Sequence, residues 1–124
     1  MKLGFIGCGN MAGAMVGGIL KNEIYDAGEM IASDASEASV KRVAEQFGIQ
    51  TTRDNKAAAK AEVLILAIKP QFYEVVIEEI KDQITADQVI VSIAPGKTTD
   101  WLAAKFAKPV KIVRCMPNTP ALVG

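Results

Sequence analysis

Apolar positions along this chain fall into two alternating patterns: short unbroken runs, and longer stretches in which they recur every three or four residues. The runs Lys2-Leu3-Gly4-Phe5-Ile6, Met30-Ile31-Ala32-Ser33, Val63 to Ile68, Val89 to Ile93 and Val110 to Arg114 each predict a strand, and Ile49 to Thr52 a shorter one. Val63 to Ile68 carries no polar residue, as a central parallel strand covered on both faces requires. Between the runs, Met11, Ala14, Met15, Gly18 and Ile19 share one helical face, with Gly18 permitting close backbone contact. Val40, Val43, Ala44 and Phe47 do the same in a helix from Glu37 to Phe47, which Gly48 closes. An Ala-rich segment near Lys56 to Lys60 predicts a short helix. Pro70 stops the strand before it, and Phe72, Val75, Val76, Glu79 and Ile80 line one side of a helix from Phe72 to Ile80. Asp100 to Phe106 is the last helix, with Thr98 or Thr99 as its cap. Strands and helices that alternate in this way form an α/β doubly wound parallel sheet of Rossmann type with right-handed crossovers. No repeat or linker interrupts the pattern, and 124 residues suit a single domain.

The first crossover carries the sharpest chemical signal. Gly7-Cys8-Gly9-Asn10-Met11-Ala12 has the G-x-G-x-x-A form of a dinucleotide-binding turn, placed between a strand and a helix as that chemistry needs. Gly7 allows a tight turn, Gly9 lets a diphosphate lie against bare backbone, and Ala12 lets the helix pack closely on the sheet. The helix start offers free N–H groups and the positive end of its dipole to the phosphates. In such sheets ligands sit outside the carboxyl ends of the strands. Ser33-Asp34, Ala67-Ile68-Lys69-Pro70, Ala94-Pro95-Gly96 and Met116-Pro117-Asn118-Thr119-Pro120 all follow strands and line the same crevice as the glycine turn. Asp34 has two compatible readings, acceptor for a ribose hydroxyl and cap of the second helix through the pattern Asp34 to Glu37. Cys8 is either a small residue in a tight place or a thiol activated by the helix start. Trp101 reads as a packing residue of the last helix.

Composition narrows the field. Half of the residues are hydrophobic, which opposes disorder, and fourteen basic residues balance fourteen acidic ones. No basic stripe or cationic helix points to nucleic acid or a membrane surface. No apolar run has membrane-spanning length and the start lacks the layout of a signal peptide, so the expected location is the cytoplasm. The two cysteines have neither a disulfide framework nor metal-ligand spacing, and no metal is expected. Histidine is absent, so proton transfer must use other groups.

The blocks Gly4-Phe5-Ile6-Gly7-Cys8-Gly9-Asn10-Met11, Ala67-Ile68-Lys69-Pro70, Val91-Ser92-Ile93-Ala94 and Arg114-Cys115-Met116-Pro117-Asn118-Thr119-Pro120 occur in this order. Together they resemble the pyrroline-5-carboxylate reductases, the last enzymes of proline biosynthesis, across essentially the whole chain. The last block is the most specific of the four. The resemblance implies hydride transfer from NADP or NAD to the ring C=N of 1-pyrroline-5-carboxylate. It also implies that this chain is the cofactor domain, with the family's helical domain, which joins two subunits and completes the substrate site, absent from it. A homo-oligomer follows from the same resemblance, and no catalytic residue is assigned within this chain.

The resemblance further implies roles by position. Ile6, Gly7, Cys8, Gly9, Asn10 and Met11 would contact the diphosphate, mostly through N–H groups, with Ala12 behind them. Ser33 and Asp34 would face the adenine ribose, and Asn55 its 2′ substituent. Ala67, Ile68, Lys69 and Pro70 would run along the nicotinamide half, Ala94 and Pro95 would press on it, and Met116, Pro117 and Asn118 would form its floor. Two departures stand out. Pro95 replaces an alanine common in the family and removes a backbone donor. Asp34 places a carboxylate where many members carry a small hydroxyl, which favours a free 2′-OH over a 2′-phosphate unless Arg53 or Lys56 swings in. Two other readings remain: the cofactor domain of a 3-hydroxyisobutyrate-type dehydrogenase, whose opening turn is similar but whose later motifs differ, and a non-catalytic dinucleotide-binding module.

Overall fold

The computed structural model describes residues 1–94 and 96–115. Six strands form one all-parallel sheet: β1 (Leu3–Ile6), β2 (Met30–Ser33), β3 (Gln50–Thr52), β4 (Val63–Leu66), β5 (Val89–Ser92) and β6 (Lys111–Arg114). Their order across the sheet is β3-β2-β1-β4-β5-β6. The chain leaves β1 toward one edge and returns through β4 to build toward the other. The direction of winding therefore reverses between β1 and β4, and the loops above these two strands diverge to leave a crevice.

The helices are α1 (Asn10–Lys21), α2 (Glu37–Phe47), α3 (Asn55–Ala58), α4 (Tyr73–Ile80) and α5 (Thr99–Phe106). Side chains alternate across β1 and β4. Leu3, Phe5 and Ile65 join a buried cluster with Ala12 and Val16 of α1 and Val40 and Val43 of α2. Ile6, Leu64 and Leu66 join a second cluster on the other face, with Ala58, Tyr73, Ile77, Leu102 and Phe106 from α3, α4 and α5. Gly4 belongs to this close packing, since a Cβ there would lie 2.6 Å from the Ala58 carbonyl oxygen. The bare backbone of β1 thus lets α3 press on the sheet.

Most expected elements are present with ends shifted by a residue or two. β4 stops at Leu66, and Ala67 and Ile68 already belong to the loop above the crevice. β5 likewise stops at Ser92, and α3 begins at Asn55 with Asp54 as its cap. Thr98 caps α5, its hydroxyl accepting the Trp101 N–H. Lys97 Nζ lies 4.3 Å from the centre of the Trp101 ring, which packs against the core beneath α5.

Three expectations are corrected. The packed face of α4 is Tyr73, Val76, Ile77 and Ile80, because a 3₁₀ turn over Pro70–Phe72 delays the helix and rotates its register. Phe72 and Val75, expected in the core, are 52% and 71% exposed. In α1, Gly18 has nothing near a built Cβ. Gly17 is the approached glycine, with the Phe47 ring 3.3 Å away. The cap of α2 is Ser36, which accepts the Ser39 N–H, and not Asp34.

Candidate functional site

Local backbone geometry explains how the glycine turn is made. Gly7 has φ +111°, and a Cβ there would lie 2.6 Å from the Ala67 carbonyl oxygen. A residue without a side chain is thus required twice over, for its conformation and for the approach of the β4 loop. Gly9 is different. Its backbone is extended (φ −79°, ψ −167°), and a Cβ built on it meets nothing within 4 Å. The space above Gly9 is free, and α1 starts there with no side chain capping it. An uncapped helix start beside an open backbone fits the diphosphate of a dinucleotide, because its N–H groups need an acceptor.

The crevice at the β1–β4 switch has a volume of about 350 Å³. It gathers Ile6, Gly7, Gly9, Asp34, Asn55, Ala67, Ile68 and Lys69, all expected from the sequence at this site. Ala35, Phe72, Val75 and Val76 complete the lining. The exposed Phe72 and Val75 therefore have a use: they give one wall of the crevice an apolar surface of the kind a flat base packs on. Their spacing with the α4 core positions hid this in the sequence.

Other expected residues stand elsewhere. Ser33 is fully buried and does not face the crevice. Its hydroxyl donates to Asn55 Oδ1 at 2.8 Å, as β2 is covered on both faces where it ends. Asn55 Nδ2 in turn donates to Glu79 Oε1 at 2.6 Å, so the amide is held from two sides. Cys8 and Ala12 are buried beneath the turn, and Ala94 is buried at the end of β5. Asn10 lines a neighbouring groove between α1 and α2, Met11 is half-buried, and Pro70 is exposed at the start of the 3₁₀ turn. Pro95, Met116, Pro117 and Asn118 lie outside the described residues.

Two N–H groups of the turn are engaged within the protein. Gly7 N–H donates to the Ser33 carbonyl at 2.7 Å, and Cys8 N–H donates to Asp34 Oδ2 at 2.8 Å. Asp34 Oδ1 accepts the Ser36 N–H at 2.8 Å. Asp34 thus ties the glycine turn to the start of α2, a task that a reading as helix cap or ribose acceptor does not contain. Arg53 donates to the Ala35 carbonyl at 2.9 Å, which sets a guanidinium on the same rim as the Asp34 carboxylate.

A buried tyrosine braces the neighbouring strand ends. Tyr73 donates its hydroxyl hydrogen to the Leu66 carbonyl at 2.7 Å, and Ser92 Oγ lies 3.2 Å from the same hydroxyl. The ends of β4 and β5 are tied through one phenol, whose pKa burial pushes up.

Cys8 is not an activated thiol. Burial, and secondarily the Asp34 carboxylate, push its pKa up to about 11, with Arg42 opposing. The sign of the consequence follows. The folded chain keeps this proton more tightly than the unfolded chain, whose thiol titrates near 9.0. The stabilisation is fully present below pH 9.0 and is lost as pH rises toward about 11. Urea denaturation at about pH 8 and about pH 10.5 is expected to show lower stability at the higher pH, with a smaller drop in Cys8→Ala. Thiol labelling near neutral pH is expected at the exposed Cys115 and not at Cys8. Rapid labelling of Cys8 would contradict this.

Comparison with known proteins agrees with this geometry. Residues 2–96 match the family described as NADP oxidoreductase, coenzyme F420-dependent. The chain is 39% identical over 124 residues to a pyrroline-5-carboxylate reductase of Escherichia coli, covering 99% of this chain and 46% of that protein. Among solved structures, a pyrroline-5-carboxylate reductase from Coxiella burnetii superposes with a TM-score of 0.92 at 38% identity, covering 98% of this chain and 46% of that one. The Plasmodium falciparum pyrroline carboxylate reductase with NADP bound gives a TM-score of 0.84 at 27% identity, covering 99% and 44%. The chain thus spans about half the length of the curated relatives it matches.

Proposed function

The chain belongs to the family described as NADP oxidoreductase, coenzyme F420-dependent, and from that premise we propose that it is the cofactor domain of a pyrroline-5-carboxylate reductase. The observation that carries the reading is the match to such a reductase along 99% of the chain. The cofactor is NADP or NAD, lying across the β1–β4 switch. The open backbone at Gly9 and the uncapped start of α1 would hold the diphosphate, with Asp34 and Asn55 toward the ribose side. The wall of Phe72 and Val75 would take the adenine, and the segment after β4 would lead toward the nicotinamide.

When bound, the cofactor supplies a hydride for the ring C=N of 1-pyrroline-5-carboxylate, giving proline. The protonated imine already carries positive charge, so it is an electrophile without further activation. This chain's own part is to bind, orient and exclude water, which is where proximity contributes most. A helical domain beyond these residues would anchor the substrate carboxylate, deliver the proton to the ring nitrogen and join two subunits. The whole would be a cytoplasmic biosynthetic enzyme.

The test is a titration of the chain with NADPH and NADH, followed by cofactor oxidation with 1-pyrroline-5-carboxylate. The oxidation is measured for the chain alone and for the chain fused to the part of the Escherichia coli relative that it does not cover. Binding by the chain and turnover only in the fusion is the expected result. Failure to bind either nucleotide would overturn the reading. The ratio of the two affinities measures how Asp34 balances against Arg53.

A further inference from the structure

Cys8 is gripped by both of its backbone groups. Asp34 takes its N–H, and the carbonyl oxygen accepts from Arg42 Nη2 at 2.7 Å. Arg42 stands on α2, thirty-four residues further along the chain. No peptide bond of the turn is cis. In a trans peptide the carbonyl and the following N–H point in opposite directions. The Cys8 carbonyl and the Gly9 N–H belong to one such unit.

Gly9 is the residue shared by two adjoining hollows, the α1–α2 groove that Arg42 lines and the crevice that Asp34 and Asn55 line. With the carbonyl turned to Arg42 on the groove side, the Gly9 N–H points away from Arg42. The N–H groups of Gly7 and Cys8 are already engaged, so Gly9 is the first of the turn with a donor to offer. A half-turn of the same peptide plane would instead present a carbonyl oxygen to an anion. Glycine at position 9 lowers the resistance to that rotation.

From this geometry we propose that Arg42 is a positioning residue for the dinucleotide: it fixes the Cys8–Gly9 peptide so that the Gly9 N–H faces the diphosphate. The proposal rests on the cofactor reading above and adds to it a residue outside the glycine turn. A charged donor on a carbonyl is among the stronger hydrogen bonds, and its loss frees the peptide plane to rotate.

Isothermal titration of the purified protein with ADP-ribose, and NMR titration with adenosine, test this in wild type, Arg42→Met and Arg42→Lys. ADP-ribose carries the diphosphate and adenosine does not. Arg42→Met is expected to weaken ADP-ribose by about tenfold while leaving adenosine unchanged. Arg42→Lys, which keeps a charged donor, is expected to recover most of the loss. The Gly9 amide resonance should move on adding ADP-ribose to wild type and move less in Arg42→Met. Unchanged ADP-ribose affinity in Arg42→Met, or an equal loss for adenosine, overturns the role of Arg42 alone. Wild type that fails to bind ADP-ribose overturns the dinucleotide reading and this proposal with it.

Discussion

Gly9→Val is expected to leave the fold in place, at a cost of about 1 kcal/mol or less, and to weaken dinucleotide binding by roughly a hundredfold or more. The first half follows from the backbone. Gly9 is extended, a conformation valine adopts freely, and its built Cβ meets no atom within 4 Å. Exchanging glycine, a tolerated N-cap residue, for valine, a poor one, is the remaining cost. The second half follows from the same open space. An isopropyl group there occupies the volume through which a diphosphate would reach the N–H groups at the start of α1. Each charge-assisted bond lost contributes about 1.5–3 kcal/mol, and two at that strength exceed a hundredfold. Urea denaturation together with a fluorescence titration of NADPH separates the halves. Wild-type affinity in a folded Gly9→Val protein would place the ligand elsewhere.

Gly7→Val is expected to do the opposite and remove the fold itself, destabilising by about 3–5 kcal/mol. Two costs add. A β-branched residue at φ +111° sits in a region that side chains rarely enter. Its Cβ would also lie 2.6 Å from the Ala67 carbonyl oxygen and 2.8 Å from the carbonyl carbon. Those are backbone atoms next to a central strand, so they cannot swing aside as a side chain would. A loss of this size is a large part of the stability of an ordinary domain. The denaturation midpoint, or failure to recover folded protein, measures it. A Gly7→Val protein as stable as wild type would mean that the β1 and β4 loops are not in contact. The two glycines, two residues apart in one motif, thus differ in kind: a side chain at Gly7 would meet the β4 loop, and one at Gly9 would meet open space at the start of α1.

The motif itself does not distinguish them, because G-x-G-x-x-A names both glycines alike. Much else was legible. The unbroken apolar runs mark β1, β4 and β5, since a parallel strand covered on both faces has no polar side to reveal. Gly48 closes α2 in a left-handed conformation, φ +71°, where its position predicts a cap. The strand ends that form the crevice follow from alternation alone. The side of α4 did not. Phe72 and Val75 fit a helical stripe with Val76 and Ile80, but a single 3₁₀ turn after Pro70 shifted the register and left both facing the crevice. Ser33 reads as a polar residue at a strand end and is instead sealed beneath the surface, turning Asn55 toward Glu79. No motif along the chain singles out Arg42 on α2. Its hold on the Cys8 carbonyl appears only once α2 lies beside the glycine turn.

What the amino-acid sequence determined alone is whatever depends on neighbours along the chain: strand and helix identity, the tight turn, the caps at Gly48 and Thr98, and the loops after β1, β2 and β4 that line the crevice. These rest on periodicity and local conformation, which the residues carry with them. What the tertiary structure decided is which atoms share a space. Asp34 and Arg42 hold the two backbone groups of Cys8, Tyr73 joins two strand ends, and an apolar pair faces outward to wall a crevice. Such contacts join residues far apart in the chain, and a shift of one helical turn is enough to replace one partner by another.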